Sequence, residues 1–198
     1  MPAEDGRYVT VSKFKQWTRD KTLTDDTLIS DSILSAQQTV DTDLGRRFEE
    51  ASGEPSARVY AAERGDTSLS IHDCVSISSI TEDGTTVPAT DWQAEPLNNL
   101  SAAGQTVPFT RVERLTGSWH ALNGKASISV TADWGWAAIP HDIVVLCMIV
   151  AQTMAQHRDM RLGLAAITAD GLGVSARDIR MVRDAQSRYS RRQVLFAV

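Results

Sequence analysis

Ala126 to Gln156, ASISVTADWGWAAIPHDIVVLCMIVAQTMAQ, carries a strand, a corner and a helix in one run, and the rest of the chain is placed by it. Ala126, Ile128 and Val130 alternate with Ser127, Ser129 and Thr131, the period of two of a strand with one buried and one wet face. Asp133-Trp134-Gly135-Trp136 follows. Glycine takes backbone angles closed to other residues, and the two indoles bring a large apolar area to a short corner, so this is a packing joint. Pro140 suits the first turn of a helix, where its fixed φ is helical and its missing N–H has no partner to lose. Ile143 to Ala151 is then apolar without a break. An all-round apolar helix is a buried one, and this run is far short of the roughly 20 residues a bilayer span needs.

Working back from the corner, the spacing predicts a short helix over 12–19, with Phe14 and Trp17 on one face, and a long amphipathic helix over 24–48. Thr24 is its expected N-cap, with Asp25 and Asp26 in the first turn and Leu23 stapled onto Leu28. Ile29, Ile33, Ala36, Val40, Leu44 and Phe48 form the inner face; Asp31, Gln37, Gln38, Asp41 and Asp43 read as the solvated one. Ala51 to Ala57 has the composition of a loop. Between 58 and 132 the chain reads as a meander of short strands: Val59-Tyr60-Ala61, Leu69 with Ile71, Val75 with Ile77, Trp92 with Ala94, and Phe109 to Leu115. Arg64-Gly65-Asp66, Glu82-Asp83-Gly84 and Asn123-Gly124 supply turns, and Pro96 to Pro108 reads as a long exposed loop. Helices before and after a strand-rich middle make the fold class α+β, with a buried helix over 140–157.

A charge asymmetry lies under the formal net charge of −5. Ser175 to Val198 holds six arginines (Arg177, Arg180, Arg183, Arg188, Arg191 and Arg192) against Asp178 and Asp184, leaving a balance of −9 for residues 1–174. The segment reads as a helix capped by Ser175, with Ile179, Val182, Gln186 and Tyr189 along one face, followed by an apolar end, Leu195-Phe196-Ala197-Val198. A basic, hydrophobic-ended segment binds nucleic acid or docks on an acidic protein surface; the acidic total favours protein. The chain divides on this reading into a body, 1–174, and a C-terminal helix and docking arm, 175–198.

Catalytic chemistry finds no foothold in the spacing. His72, His120, His141 and His157 stand singly, and no HExxH, CxxC, GxSxG or P-loop pattern occurs. Cys74 and Cys147 are too far apart in sequence for a zinc or disulfide pattern and read as core thiols, so no metal, cofactor or disulfide is expected. Gly171-Leu172-Gly173 lacks the strand and third glycine of a dinucleotide cradle, and Asp133 with His141 is the one pair left for an enzymatic reading. The N-terminus has no signal-peptide pattern, so residence in the cytoplasm and no membrane partner are expected.

The series of leading helix, strand-rich middle, Asp91-Trp92-Gln93-Ala94-Glu95-Pro96, alternating strand, Trp134-Gly135-Trp136, Pro140 and apolar helix resembles the head-to-tail connector, or adaptor, proteins of long-tailed bacteriophages, the small connectors that bind beneath the portal. The resemblance spans roughly residues 8 to 160, and this chain is longer than such connectors by its polar loop and Arg-rich end. It implies a non-enzymatic virion protein, present in the host cytoplasm during assembly, that forms a ring of about a dozen copies on the portal. Partners implied are the portal protein, neighbouring copies and the next tail or head-completion protein, with DNA passing through the channel without specific recognition. In that setting Arg177, Arg180, Arg183, Arg188, Arg191, Arg192, Leu195, Phe196 and Val198 are the expected portal- or subunit-docking residues. A DNA-binding protein using the Arg-rich helix, or another head or tail completion protein, are the alternatives.

Overall fold

The computed structural model describes residues 7–19, 24–101, 104–120, 127–157 and 180–190. They belong to two compact units, one made of Met1–Phe48 with Ile139–Val198 and the other of Glu49–Ala138.

The first unit is helical. Thr10 caps α1 (Val11–Thr18), its hydroxyl accepting from the Lys13 amide at 3.2 Å, so the helix starts one residue ahead of the expected 12. Phe14 is fully buried and Trp17 half exposed. Helix α2 is Asp26–Leu44, and its cap is Asp25 rather than Thr24: one Asp25 oxygen accepts from the amides of Thr27 (3.0 Å) and Leu28 (3.2 Å). The helix stops four residues short of the expected 48. Gly45 adopts φ 63°, and the amides of Gly45 and Arg46 fold back onto the Thr42 and Asp41 carbonyls, closing the last turn in a Schellman motif. Phe48 is nevertheless fully buried, reaching the core from the segment after the helix.

Gln37 and Asp41 depart from the solvated face assigned to them. Tyr8, itself buried, crosses this side of α2: its amide donates to Gln37 Oε1 at 3.1 Å, its hydroxyl donates to Asp41 Oδ1 at 2.6 Å, and the Phe48 amide donates to that hydroxyl at 2.7 Å. One tyrosine thus ties the N-terminal segment to the second half of α2 and to the segment that follows the helix.

Helix α3 (His141–His157) follows Pro140, whose carbonyl accepts from Ile143 and Val144; the proline stands one position ahead of the first turn. Ile143, Leu146, Cys147, Met148 and Ala151 are buried, while Val145, Ile149 and Val150 are half-buried, so the helix is buried on most of its circumference rather than all of it. It packs on α2, with Cys147 Sγ 3.9 Å from the Ile33 carbonyl. Helix α4 is Arg180–Tyr189.

The second unit is a six-stranded antiparallel sheet: β1 (Ser56–Tyr60), β2 (Ser68–Glu82), β3 (Thr85–Thr86), β4 (Trp92–Glu95), β5 (Phe109–Arg114) and β6 (Ile128–Trp134). The α+β class holds, but the middle is not a meander. Strand order is β1-β6-β2-β5-β4, with β3 paired to the end of β2. The Arg64-Gly65-Asp66 turn therefore joins strands that are not neighbours, because β6, buried through Ile128, Val130 and Ala132, lies between them. Leu69 with Ile71 and Val75 with Ile77, expected as separate strands, belong to the single β2. Register shifts around Cys74 break its alternation and let its first half pair β5 and its second half β6. Strand β1 begins at Ser56, inside the expected loop. The core of this unit holds Leu69, Ile71, Ile80, Val112, Trp119 and Val130.

Candidate functional site

Three places carry the side chains that the sequence singles out: the tryptophan corner, helix α4 and the stretch between Pro96 and Pro108. At the corner, Gly135 takes φ 127° and donates its amide to the Asp73 carbonyl at 2.8 Å. Trp136 pairs in a parallel bridge with Glu50: its amide donates to the Glu49 carbonyl (2.8 Å) and its carbonyl accepts from Ala51 (2.9 Å). Its indole, almost wholly buried, donates to Asp73 Oδ2 at 3.2 Å. Trp134 points to a more open side. Its indole donates to the Ser56 carbonyl at 2.8 Å, and the Arg58 guanidinium lies 4.5 Å above its ring.

The two buried carboxylates here are acceptors for the fold. Asp73 holds the Trp136 indole, and Asp133 Oδ1 accepts from the Gly53 amide at 3.1 Å. His141, named with Asp133 as the remaining enzymatic pair, belongs to the other unit and is exposed on the first turn of α3. Among the described residues no group of three His, Cys, Asp or Glu side chains is arranged to hold a metal ion. No helix among them is long and apolar enough to cross a membrane.

Burial pushes the Cys74 thiol up to about 12, with Asp73 adding to the effect and Arg58 opposing it. Burial likewise pushes Cys147 up to about 12, with a smaller contribution from Asp41. Both thiols therefore stay protonated at neutral pH, and the thiolate is the nucleophile. Native protein at pH 8 is expected to resist a maleimide or disulfide reagent at both positions, and to take up two equivalents once denatured. Rapid labelling of the folded chain would refute this. Stability from the protonated thiols is complete below the unfolded value near 9 and is lost as pH rises from there toward 12.

Helix α4 packs within its own unit. Tyr189 stands edge-on to Phe48, ring centroids 5.8 Å apart, and its carbonyl accepts from Arg46 Nη1 at 3.3 Å. Arg188 Nη1 meets Asp142 Oδ2 at 2.7 Å, and Ala185 is buried. Burial, with the nearby Asp142 carboxylate, raises the Tyr189 phenol above its ordinary value, partly offset by Arg188 and Arg46. Of the nine expected docking residues, Arg188 is thus engaged in an exposed ion pair worth at most about 1 kcal/mol. Arg180 and Arg183 lie on α4; Arg177, Arg191, Arg192, Leu195, Phe196 and Val198 lie outside the described residues.

The described residues between Pro96 and Pro108 are mostly exposed and outside regular strands, as expected of a loop, with one local pairing. Leu100 and Thr106 form an antiparallel bridge, with bonds from Ser101 N to the Gln105 carbonyl and from Val107 N to the Asn99 carbonyl, both 2.8 Å. Leu97 and Leu100 are nevertheless exposed. Trp119 and Tyr8 carry much of the packing, and no periodic pattern marked either. Trp119 sits among Gly117, Ser118 and His120, and only its size signals burial.

Neither a family model nor a curated protein matches the chain. Solved structures do share its fold. A chain in the virion of a native gene transfer agent particle aligns over 98% of this chain and 94% of its own, at 19% identity and TM-score 0.54. A chain in the neck of a native gene transfer agent particle, computed with C12 symmetry, aligns over 100% and 96%, at 16% identity and TM-score 0.54. The likeness covers essentially the whole length of both partners in each comparison.

Proposed function

We propose that this chain is a structural component of the head-to-tail region of a phage-like particle, an adaptor that forms a ring on the portal. The observation that carries the reading is the end-to-end fold likeness to a chain in a particle neck computed with C12 symmetry. The series from the central strand through Trp134-Gly135-Trp136 to the apolar helix supports it independently, because it is the part of the sequence that resembles the small phage connectors.

In this reading about a dozen copies join through heterologous contacts around the DNA channel. The acidic body discourages grip on the passing phosphate backbone, while arginines of 175–198 reach acidic groups on the portal or the adjacent copy, and Leu195, Phe196 and Val198 fill apolar pockets. The next tail or head-completion protein seats on the opposite face of the ring. The buried carboxylates of the corner accept from amide and indole N–H groups, which supports a packing role for it.

The test mixes full-length protein with isolated portal or DNA-filled tailless heads and images the product by negative stain. Ring density on the portal is expected from the full chain and is expected to be lost from a chain ending at Val174. Since α4 packs against Phe48, the double substitution Arg191→Glu with Arg192→Glu, beyond that helix, provides a folded counterpart and is expected to weaken portal binding at least tenfold. Undiminished ring formation by both variants would remove the docking arm, and absence of any association by the full chain would remove the function.

A further inference from the structure

Among the described residues, the sheet of the Glu49–Ala138 unit ends in two strands, β1 at one side and β4 at the other, each paired along one edge only. Open edges are normally blunted by bulges, prolines or a cover of charge. Neither strand has a register shift or an internal proline, and each carries one charge, Arg58 on β1 and Glu95 on β4. The Leu115 amide bonds to the Asp91 carbonyl at 2.8 Å, which fixes the pairing of β4 with β5 as bonded at 91, 93 and 95. The backbone groups of Trp92 and Ala94 therefore point away from β5, along the edge.

The large exposed apolar side chains of this unit, among the described residues, gather at the same two edges. Val59 on β1 is 69% exposed; Leu97 (62%) and Leu100 (59%) follow β4, and Leu115 (56%) adjoins its start. One edge thus offers Arg58, which lies over the Trp134 ring, and a valine; the other offers Glu95, whose carboxylate accepts from Gln93 Nε2 at 2.7 Å and from the Leu97 amide at 2.9 Å, flanked by leucines. They are different surfaces of similar length, complementary in charge, which is what a heterologous contact between identical copies requires.

The geometry points to a sheet-edge seam between copies, β1 of one copy adding to β4 of the next. The inference rests on the ring reading above and supplies the contact that holds neighbours together. The seam is antiparallel: main-chain hydrogen bonds give it its affinity and Arg58 opposite Glu95 its polarity, a register that sets Val59 opposite Ala94.

Cysteine trapping tests it in the full chain, since Cys74 and Cys147 are buried and stay silent. Single variants Arg58→Cys, Val59→Cys, Gln93→Cys and Ala94→Cys are each checked for an unchanged melting curve and assembled on isolated portal. They are then mixed in β1-with-β4 pairs and oxidised with copper phenanthroline. Directly opposed positions lie about 4.5 to 5.5 Å apart between Cα atoms, within the span that a disulfide bridges. At least one mixed pair is expected to give covalent dimers in roughly a quarter of the chains or more, about half being the ceiling when two variants mix at random around a ring, and each variant alone to give background. Rings visible by microscopy with no mixed dimer from any of the four pairings would overturn the seam and leave the ring standing. No ring from wild-type protein on portal would overturn the ring and the seam together.

Discussion

Alanine in place of Gly135 is expected to destabilise the Glu49–Ala138 unit by roughly 3 to 5 kcal/mol, combining backbone strain with overpacking. The residue sits at φ 127°, a conformation that side-chain-bearing residues rarely adopt. An added Cβ would stand 2.7 Å from the Glu49 carbonyl oxygen, 2.9 Å from the Ala51 nitrogen and 3.1 Å from the Ala51 Cα. All three are backbone atoms, so no side chain can rotate away. Relief requires parting the strand pair itself, at the cost of the two bonds between Trp136 and residues 49 and 51. Gly117 is the control: its φ is 73°, but nothing lies within 4 Å of an added Cβ, so alanine there costs only the backbone term, about 1 kcal/mol. Urea unfolding followed by tryptophan fluorescence measures both. A Gly135→Ala protein as stable as the Gly117→Ala one would show that the corner yields more easily than its geometry implies.

Trp119→Ala is expected to cost a further large amount, about 3 to 5 kcal/mol, against a total stability of about 5 to 15 for an ordinary domain. The indole is 1% exposed in the sheet core, donates to the Thr67 carbonyl at 2.9 Å, and lies under the Arg114 guanidinium at 5.1 Å. The Trp119 amide also donates to the Asp66 carbonyl at 2.7 Å, so the residue pins the turn before β2 to the end of β5. Phenylalanine keeps most of the apolar volume and loses the indole donor, and is expected to cost about 1 to 2 kcal/mol. Equal losses for alanine and phenylalanine would mean the hydrogen bond, not the packing, dominates; a loss below 1 kcal/mol for alanine would place Trp119 outside the core.

Periodicity reached α2, α3, β6 and the corner because each buries one face against a neighbour, and burial writes its period into the residue order. It did not reach the pairing of β1 with β6, since partners some 70 residues apart leave no local mark. The sequence divides strand β2 in two because Asp73 and Cys74 are both buried where alternation calls for one, so the apolar period changes phase at the bulge. Gln37 and Asp41 looked solvated because their partner, Tyr8, comes from outside their helix. In the C-terminal segment the expectation of docking rests on charge and an apolar end; that Arg188 finds Asp142 within the same chain depends on how α4 lies on α3.

The bridge between Glu50 and Trp136 has a consequence for how the chain folds. The helical unit is made from both ends of the sequence, with ~90 residues of the sheet unit intervening between Phe48 and Ile139. Closing a flexible loop of that length costs roughly 3 kcal/mol more in chain entropy than closing one of about four residues. Once the bonds of Trp136 to Glu49 and Ala51 have formed, the path from α2 to α3 is short-circuited, and their helices meet as if joined by a tight connection. The sheet thereby acts as a covalently continuous clasp, and the strand pair beside Gly135 is its catch.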